Sequence, residues 1–66
     1  MTGLDALRCA KLLLDEHGEG AVLVAAMRAD ELDAAGDEAG RRAFMRIIAA
    51  LDELARTARR PDESLQ

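Results

Sequence analysis

The sequence predicts an all-α fold: a small three-helix domain with two shorter helices and a long C-terminal helix, completed by dimerisation. Half of the 66 residues are hydrophobic, and alanine and leucine dominate them. These two residues have high intrinsic helix propensity. Apolar residues also recur every three or four positions, which is the spacing of one helix face. We expect a single helical domain over residues 1–60 and a flexible tail over residues 61–66.

The first helix is predicted over residues 3–17. Thr2 and Asp5 have the spacing of a capping box, in which each side chain accepts a hydrogen bond from the other residue's backbone N–H. His17 and Gly18 mark the end, because glycine readily adopts the left-handed conformation that follows many helices. The apolar face consists of Leu4, Leu7, Ala10, Leu13 and Leu14.

The second helix is predicted over residues 20–35, and a helix–helix corner follows it. Gly36 is expected to end the second helix with a positive φ. Asp37 is expected to be the N-cap of the third helix, its carboxylate accepting from backbone N–H groups two or three residues later. Gly40 lies inside the first turn of that helix, where alanine is more favourable. We therefore expect another helix backbone to pass close to Gly40.

The third helix is predicted over residues 38–60 and has the clearest apolar pattern, which steps by three and four residues as in a coiled-coil seam. Pro61 is expected to end it. Phe44, the only aromatic residue, is expected at the centre of the core. The predicted partner-binding seam consists of Phe44, Ile47, Ile48, Leu51, Leu54 and Ala58.

Association with another chain is expected because so short a chain buries a limited core. One cysteine excludes an internal disulfide. A helix over residues 38–60 would extend about 34 Å, whereas one over residues 3–17 would extend about 22 Å. The two shorter helices would then leave Leu51, Leu54, Ala55 and Ala58 partly exposed. We therefore expect a homodimer, or a complex with another protein, through the third helix.

The order His17-Gly18, then Gly36-Asp37 and Gly40, then an Ile/Leu-rich helix resembles a group of short uncharacterised proteins from alphaproteobacteria. In that group a Gly-Asp-x-x-Gly-x-x-x-Trp pattern follows a helix that ends in His-Gly. Phe44 stands at the position of the tryptophan. The resemblance covers residues 4–54 and is to a domain of unknown function. It implies a helical fold and a bacterial origin, and it implies no activity.

Residues that could carry chemistry are few, and we predict neither an enzyme nor a cofactor or metal site. His17 is the only histidine and Cys9 the only cysteine, so zinc-ligand spacing is absent. We interpret His17 as a helix-capping residue and Cys9 as a small packing residue. The acidic residues near the corner lack the calcium-loop pattern, and the glycine pairs lack the Lys-Ser/Thr of a phosphate loop.

Charge is distributed unevenly along the chain. Residues 1–36 carry seven acids and three bases, whereas residues 37–60 carry four acids and six bases, and the net charge is −4. Acids among the arginines and the absence of interleaved aromatic residues disfavour direct nucleic-acid binding. The apolar run over residues 21–27 is too short to cross a bilayer, and the N-terminus lacks the basic start of a signal peptide. We expect a cytoplasmic protein.

These observations predict a non-enzymatic helical interaction or adaptor protein that self-associates, or docks on another protein, through the seam of the third helix. An alternative prediction is an acidic inhibitor, encoded by a phage or by its host, that covers a basic surface of a nucleic-acid-processing protein. In that alternative the contacts come from an acidic surface made of Asp30, Glu31 and Asp33. The adaptor would depend on apolar contacts, whereas the inhibitor would be sensitive to salt.

Overall fold

The structure, a computed structural model, describes residues 3–58, and this part of the chain forms three α-helices. Helix α1 spans Gly3–His17, α2 spans Ala21–Ala34 and α3 spans Glu38–Ala58, while a 3₁₀ turn, Gly18–Gly20, joins α1 to α2. No strand occurs between residues 3 and 58. The predicted all-α fold of two shorter helices and one longer helix is confirmed.

The helix boundaries agree with the predicted ones to within one residue where the structure describes them. Helix α2 begins at Ala21 rather than at residue 20, because Gly20 belongs to the 3₁₀ turn, and it ends at Ala34 because Ala35 is the C-cap. The predicted Thr2 cap, the last two residues of the predicted third helix, the stop at Pro61 and the tail over residues 61–66 lie outside the described residues.

The junction between α1 and α2 depends on the backbone conformation of one glycine. Gly18 has a φ of 55°, which residues with a Cβ rarely adopt. His17, which precedes the 3₁₀ turn, makes no side-chain capping hydrogen bond. The predicted left-handed glycine after α1 is confirmed, and no side-chain cap accompanies it.

Helix α3 packs against both other helices and shares its most extensive contact with α2. The core lies where the three helices meet: Ala6 and Ala10 come from α1, Ala21 and Ala25 from α2, and the remaining buried residues from α3. Alanine side chains let helix backbones approach closely, because they place little volume between the helix axes. The third helix therefore supplies most of the large apolar volume of the core.

The large side chains of the core are Ile47 and Leu51, which are 2% and 1% exposed. Phe44 is only half-buried and packs against the edge of this cluster. The prediction that Phe44 forms the centre of the core was therefore wrong. The centre is instead occupied by Ile47 and Leu51, which pack together with the alanines of α1 and α2.

The corner between α2 and α3 combines a C-terminal and an N-terminal capping motif. Gly36 has a φ of 78°, and its N–H donates to the carbonyl of Asp33 at 3.0 Å. The N–H of Asp37 donates to the carbonyl of Leu32 at 2.8 Å, which completes a Schellman motif. The Asp37 carboxylate in turn accepts from the N–H of Gly40 at 2.9 Å. The predicted roles of Gly36 and Asp37 are confirmed.

The nearest neighbour of Gly40 is the capping carboxylate. A Cβ built on Gly40 would lie 2.6 Å from Oδ2 and 2.9 Å from Cγ of Asp37. The glycine therefore has a role within its own helix, and the close approach of another helix backbone stays a prediction. Glycine leaves room for Asp37 to fold over the first turn of α3 and reach the backbone N–H.

Ion pairs connect the two sides of the same corner. The Nε of Arg41 lies 3.2 Å from Glu38 Oε1 and 3.7 Å from Asp33 Oδ1, so one guanidinium bridges the start of α3 and the end of α2. The hydrogen bond from Arg41, assisted by its charge, lowers the pKa of the Glu38 carboxyl. The same pair raises the pKa of Arg41. These groups are exposed, so solvent screens their attraction.

Candidate interaction surfaces

The predicted partner-binding seam of α3 is mostly turned into the chain's own core. Ile47 and Leu51 are buried, and Phe44, Ile48 and Leu54 are half-buried against them. The expectation that Leu51 stays partly exposed was wrong, because α1 and α2 together cover it, whereas Leu54 is half-buried and Ala55 is exposed, as expected. The side chain of Ala58, the last predicted member of the seam, lies outside the described part of the structure.

A different apolar surface is exposed on α2, and we call it the outer patch. It consists of Val22, Leu23 and Met27, whose side chains are 46%, 65% and 55% exposed. Leu23 and Met27 are four residues apart and lie on one face. That face is turned away from the buried face formed by Ala21, Ala25 and Ala29.

A cleft of about 520 Å³ adjoins the outer patch at the α1–α2 junction. Val22 belongs both to the patch and to the wall of this cleft, and Leu14 and Ala55 supply apolar surface from α1 and α3. Glu19 is the one charged residue in its lining. The apolar surface therefore continues from the outer face of α2 towards the end of α1.

Acidic side chains lie beside the outer patch. Asp30 and Glu31 follow Met27 by three and four residues, so they lie next to it on the helix surface, and both are exposed. Asp33, the third residue of the predicted acidic surface, lies 3.7 Å from Arg41. The charge of Asp33 is thus partly compensated within the chain, and Asp30 and Glu31 form the acidic border of the patch.

The outward side of α3 carries a shallow cleft of about 180 Å³ between two arginines. Its lining residues are Ala39, Arg42, Ala43 and Arg46. Four residues at i, i+3, i+4 and i+7 form the kind of hole that accepts one side chain from a facing helix. We call this feature the arginine hole, because two alanines form its floor and two arginines its rim.

The residues that might have carried chemistry do not come together. Between residues 3 and 58, no three His, Cys, Asp or Glu side chains are grouped so that they could hold a metal ion. Cys9 is half-buried against the core, and His17 is exposed at the end of α1. In the same part of the chain, no helix combines the length and the apolar character needed to cross a membrane.

The outer patch was missed in the sequence, although a signal for it was present. Helix α2 carries apolar residues on all sides, whereas a surface helix of a monomeric domain has one apolar stripe and one polar face. Leu23 and Met27 cannot share a face with Ala21 and Ala25, since the two sets are offset by about 200° at 100° per residue. A second apolar face on a short helix indicates that this face also contacts another apolar surface.

Comparisons of the chain with protein-family models, with curated proteins and with solved structures find no match. The resemblance to short alphaproteobacterial proteins therefore stays a prediction. The interaction surfaces rest on the geometry and chemistry of the outer patch and the arginine hole.

Proposed function

We propose that this chain is a non-enzymatic helical interaction protein that binds a protein partner through the outer patch on α2. The observation that carries the proposal is the exposure of Leu23 and Met27, at 65% and 55%, on the face of α2 opposite the core. Burying a large aliphatic side chain contributes about 1.5–3 kcal/mol. A partner that covers this face would therefore gain free energy that the isolated chain leaves unused.

The chemistry around the patch selects the kind of partner. Asp30 and Glu31 border Met27, and the only basic residue of α2 is Arg28, about 100° around the helix from Met27. A helix with apolar residues on one face and Lys or Arg beside them would cover the patch and meet both carboxylates. The proposed partner is therefore a cationic amphipathic helix, bound in the helix-to-surface mode that many regulatory proteins use.

This proposal keeps the predicted class of function, a helical interaction protein, but it assigns binding to the outer patch on α2 instead of the seam of α3. The seam of α3 was predicted to bind the partner, but Ile47 and Leu51 are committed to the core. Their substitution would unfold the chain as well as remove an interface. The outer patch can be changed without opening the core, so its role can be tested separately from folding.

The test uses a synthetic leucine–lysine peptide with leucines at helical spacing, and a leucine–glutamate peptide of the same pattern. We expect the wild-type chain to bind the lysine peptide in a calorimetric titration and to bind the glutamate peptide much more weakly. Replacing Leu23 and Met27 together by lysine should weaken binding at least about tenfold, which corresponds to about 1.4 kcal/mol.

A matched control is available on α1. Leu12 is 62% exposed, about as much as Leu23, and it lies outside the outer patch. Leu12→Lys should therefore bind the lysine peptide as the wild type does. Equal binding of the two peptides by the wild type, or an equal loss in Leu12→Lys and in the double variant, would contradict the proposal.

The second candidate function is the acidic inhibitor, which the exposure of Asp30 and Glu31 favours. Such a protein would bind a basic surface mainly by charge, so Asp30→Asn with Glu31→Gln would abolish binding while Leu23→Ala would leave it unchanged. Its affinity would also fall steeply with salt, because exposed charges are screened. Binding through the outer patch predicts the reverse: Leu23→Ala should weaken binding more than Asp30→Asn with Glu31→Gln does.

A further inference from the structure

We infer that the cationic helix that covers the outer patch is α3 of a second copy of this chain, with the arginine hole receiving Met27 or Leu23. The inference rests on the proposed function and names its partner. The two surfaces belong to different helices of the same molecule, so each copy offers both a patch and a hole. Copies can join head to tail, or two copies can make both contacts at once around a two-fold axis.

Shape complementarity is the first argument. The arginine hole has the four-residue spacing that accepts one projecting side chain, and its floor consists of Ala39 and Ala43. The outer patch supplies side chains of the required kind, since Leu23 and Met27 project from the side of α2 opposite its buried alanines. An unbranched, flexible methionine adapts well to a shallow hole.

Charge complementarity is the second argument. The outer patch is bordered by Asp30 and Glu31, and the hole is bordered by Arg42 and Arg46. When Met27 enters the hole, the two carboxylates that follow it by three and four residues can face the rim of the hole. Opposite charges that border the two surfaces favour this orientation of the two copies and oppose others.

A symmetric contact between two outer patches is less favourable by the same argument. Such an arrangement would place apolar surface against apolar surface but would bring the acidic borders of two copies towards each other. Like charges across an interface oppose association. The patch-to-hole contact instead brings acids to arginines.

The test uses two complementary variants. Sedimentation equilibrium measures the mass of the assemblies that they form alone and when mixed. One variant, Leu23→Lys with Met27→Lys, lacks the patch and keeps the hole. The other, Ala39→Glu with Arg42→Glu, lacks the hole and keeps the patch. Each alone should remain a 7.1 kDa monomer, and their equimolar mixture should form a dimer and nothing larger, because only one intact contact can be made.

The wild-type chain should either continue to grow with concentration or close into a ring, which includes a two-fold dimer with two patch-to-hole contacts, because each copy retains both surfaces. Leu12→Lys should assemble as the wild type does. Helicity measured by circular dichroism should be equal in all variants, so that a loss of assembly is not a loss of folding; variants that lose helicity are replaced by Met27→Gln and Arg42→Gln.

Two results would overturn the inference: a wild-type chain that stays monomeric at millimolar concentration, or a variant mixture that stays monomeric. Failure of the proposed function is a separate result. If the wild type binds the leucine–lysine peptide but the variants do not pair, the patch binds a cationic helix that is not α3.

Discussion

The inner and outer faces of α2 differ in a way that inverts the usual distribution of side-chain size. The inner face is made of Ala21, Ala25 and Ala29, which are at most 5% exposed, whereas Leu23 and Met27 on the outer face are more than half exposed. Small residues thus face the core and large apolar residues face solvent. In a monomeric domain the largest apolar side chains are normally the buried ones.

This difference in side-chain size indicates that the two faces of α2 have different roles. On the inner face, alanines let α2 approach α3 closely, and Ile47 and Leu51 of α3 supply the volume. On the outer face, large side chains have no partner helix within the described residues. The inner face therefore determines the stability of the fold, and we assign the outer face to binding.

Leu51→Ala is expected to have the largest effect, because Leu51 is 1% exposed and faces the alanines of α2. Truncation of a buried leucine costs about 2–5 kcal/mol, which is comparable with the whole stability of a small domain. Leu23→Ala on the outer face should change the free energy of unfolding by at most about 0.5 kcal/mol. Urea denaturation followed by circular dichroism measures both.

A milder variant keeps this comparison measurable if Leu51→Ala does not fold. Ile47→Val removes one methylene from the same cluster and should cost about 0.5–1.5 kcal/mol. Equal losses for Ile47→Val and Leu23→Ala in dilute protein would mean that the two faces do not differ as the structure indicates.

Enlarging an inner alanine tests the close approach of the helices. Ala25 is fully buried, so Ala25→Leu should destabilise the chain by about 1–3 kcal/mol through overpacking. Ala34→Leu enlarges an exposed alanine of the same helix and should be nearly neutral. A stable Ala25→Leu variant with an unchanged melting temperature would indicate that α2 and α3 are not in close contact.

Loosening the corner tests what holds the inner face of α2 on α3. Asp37→Ala removes the carboxylate that caps α3 and should cost about 1 kcal/mol, whereas Asp37→Ser can still accept the hydrogen bond from Gly40 and should cost less. Thermal unfolding distinguishes the two variants. Equal melting temperatures for wild type, Asp37→Ala and Asp37→Ser would contradict the capping role.

The effect of Gly40→Ala should depend on Asp37. In the wild type, the added methyl group displaces the carboxylate, which would otherwise lie 2.6 Å from it, so the gain in helix propensity is offset. In the Asp37→Ala background the displacement has no cost, and Gly40→Ala should stabilise the chain by about 0.5–1 kcal/mol. A double-mutant cycle in urea measures this coupling; additive effects would argue against it.

The smallest effect concerns the ion pair at the corner. The Arg41 hydrogen bond lowers the pKa of Glu38 in the folded state, so the stabilising contribution is present above the pKa of the unfolded carboxyl, about 4.3. It is lost as the pH falls through the lowered folded-state value. At pH 7 the melting temperature of the wild type should be slightly higher than that of Glu38→Gln. This difference in melting temperature should disappear in acid. A difference in melting temperature that does not change with pH would contradict a stabilising contribution from the ionised Glu38 carboxylate.

The local elements of the fold were predictable because their causes are local. Gly18 and Gly36 end helices by their conformational freedom, and Asp37 caps α3 through atoms three residues away. The burial of Leu51 and the half-exposure of Phe44 were not predictable, since both depend on where α1 and α2 lie against α3. The burial of Ile47 and the exposure of Leu23 and Met27 were likewise not predictable, because a pattern of apolar residues does not say which of two apolar faces turns inward.

The sequence by itself determined that this chain is helical, where α1 gives way to α2, and how the corner at Gly36 and Asp37 is capped. Propensity, periodicity and short-range hydrogen bonds act within a few residues, so they can be read along the chain. Only the tertiary structure decided that the alanine face of α2 packs inward and that Leu23 and Met27 remain outside. Packing energy depends on the fit between helices distant in sequence, and close backbone approach selected the smaller side chains for the core.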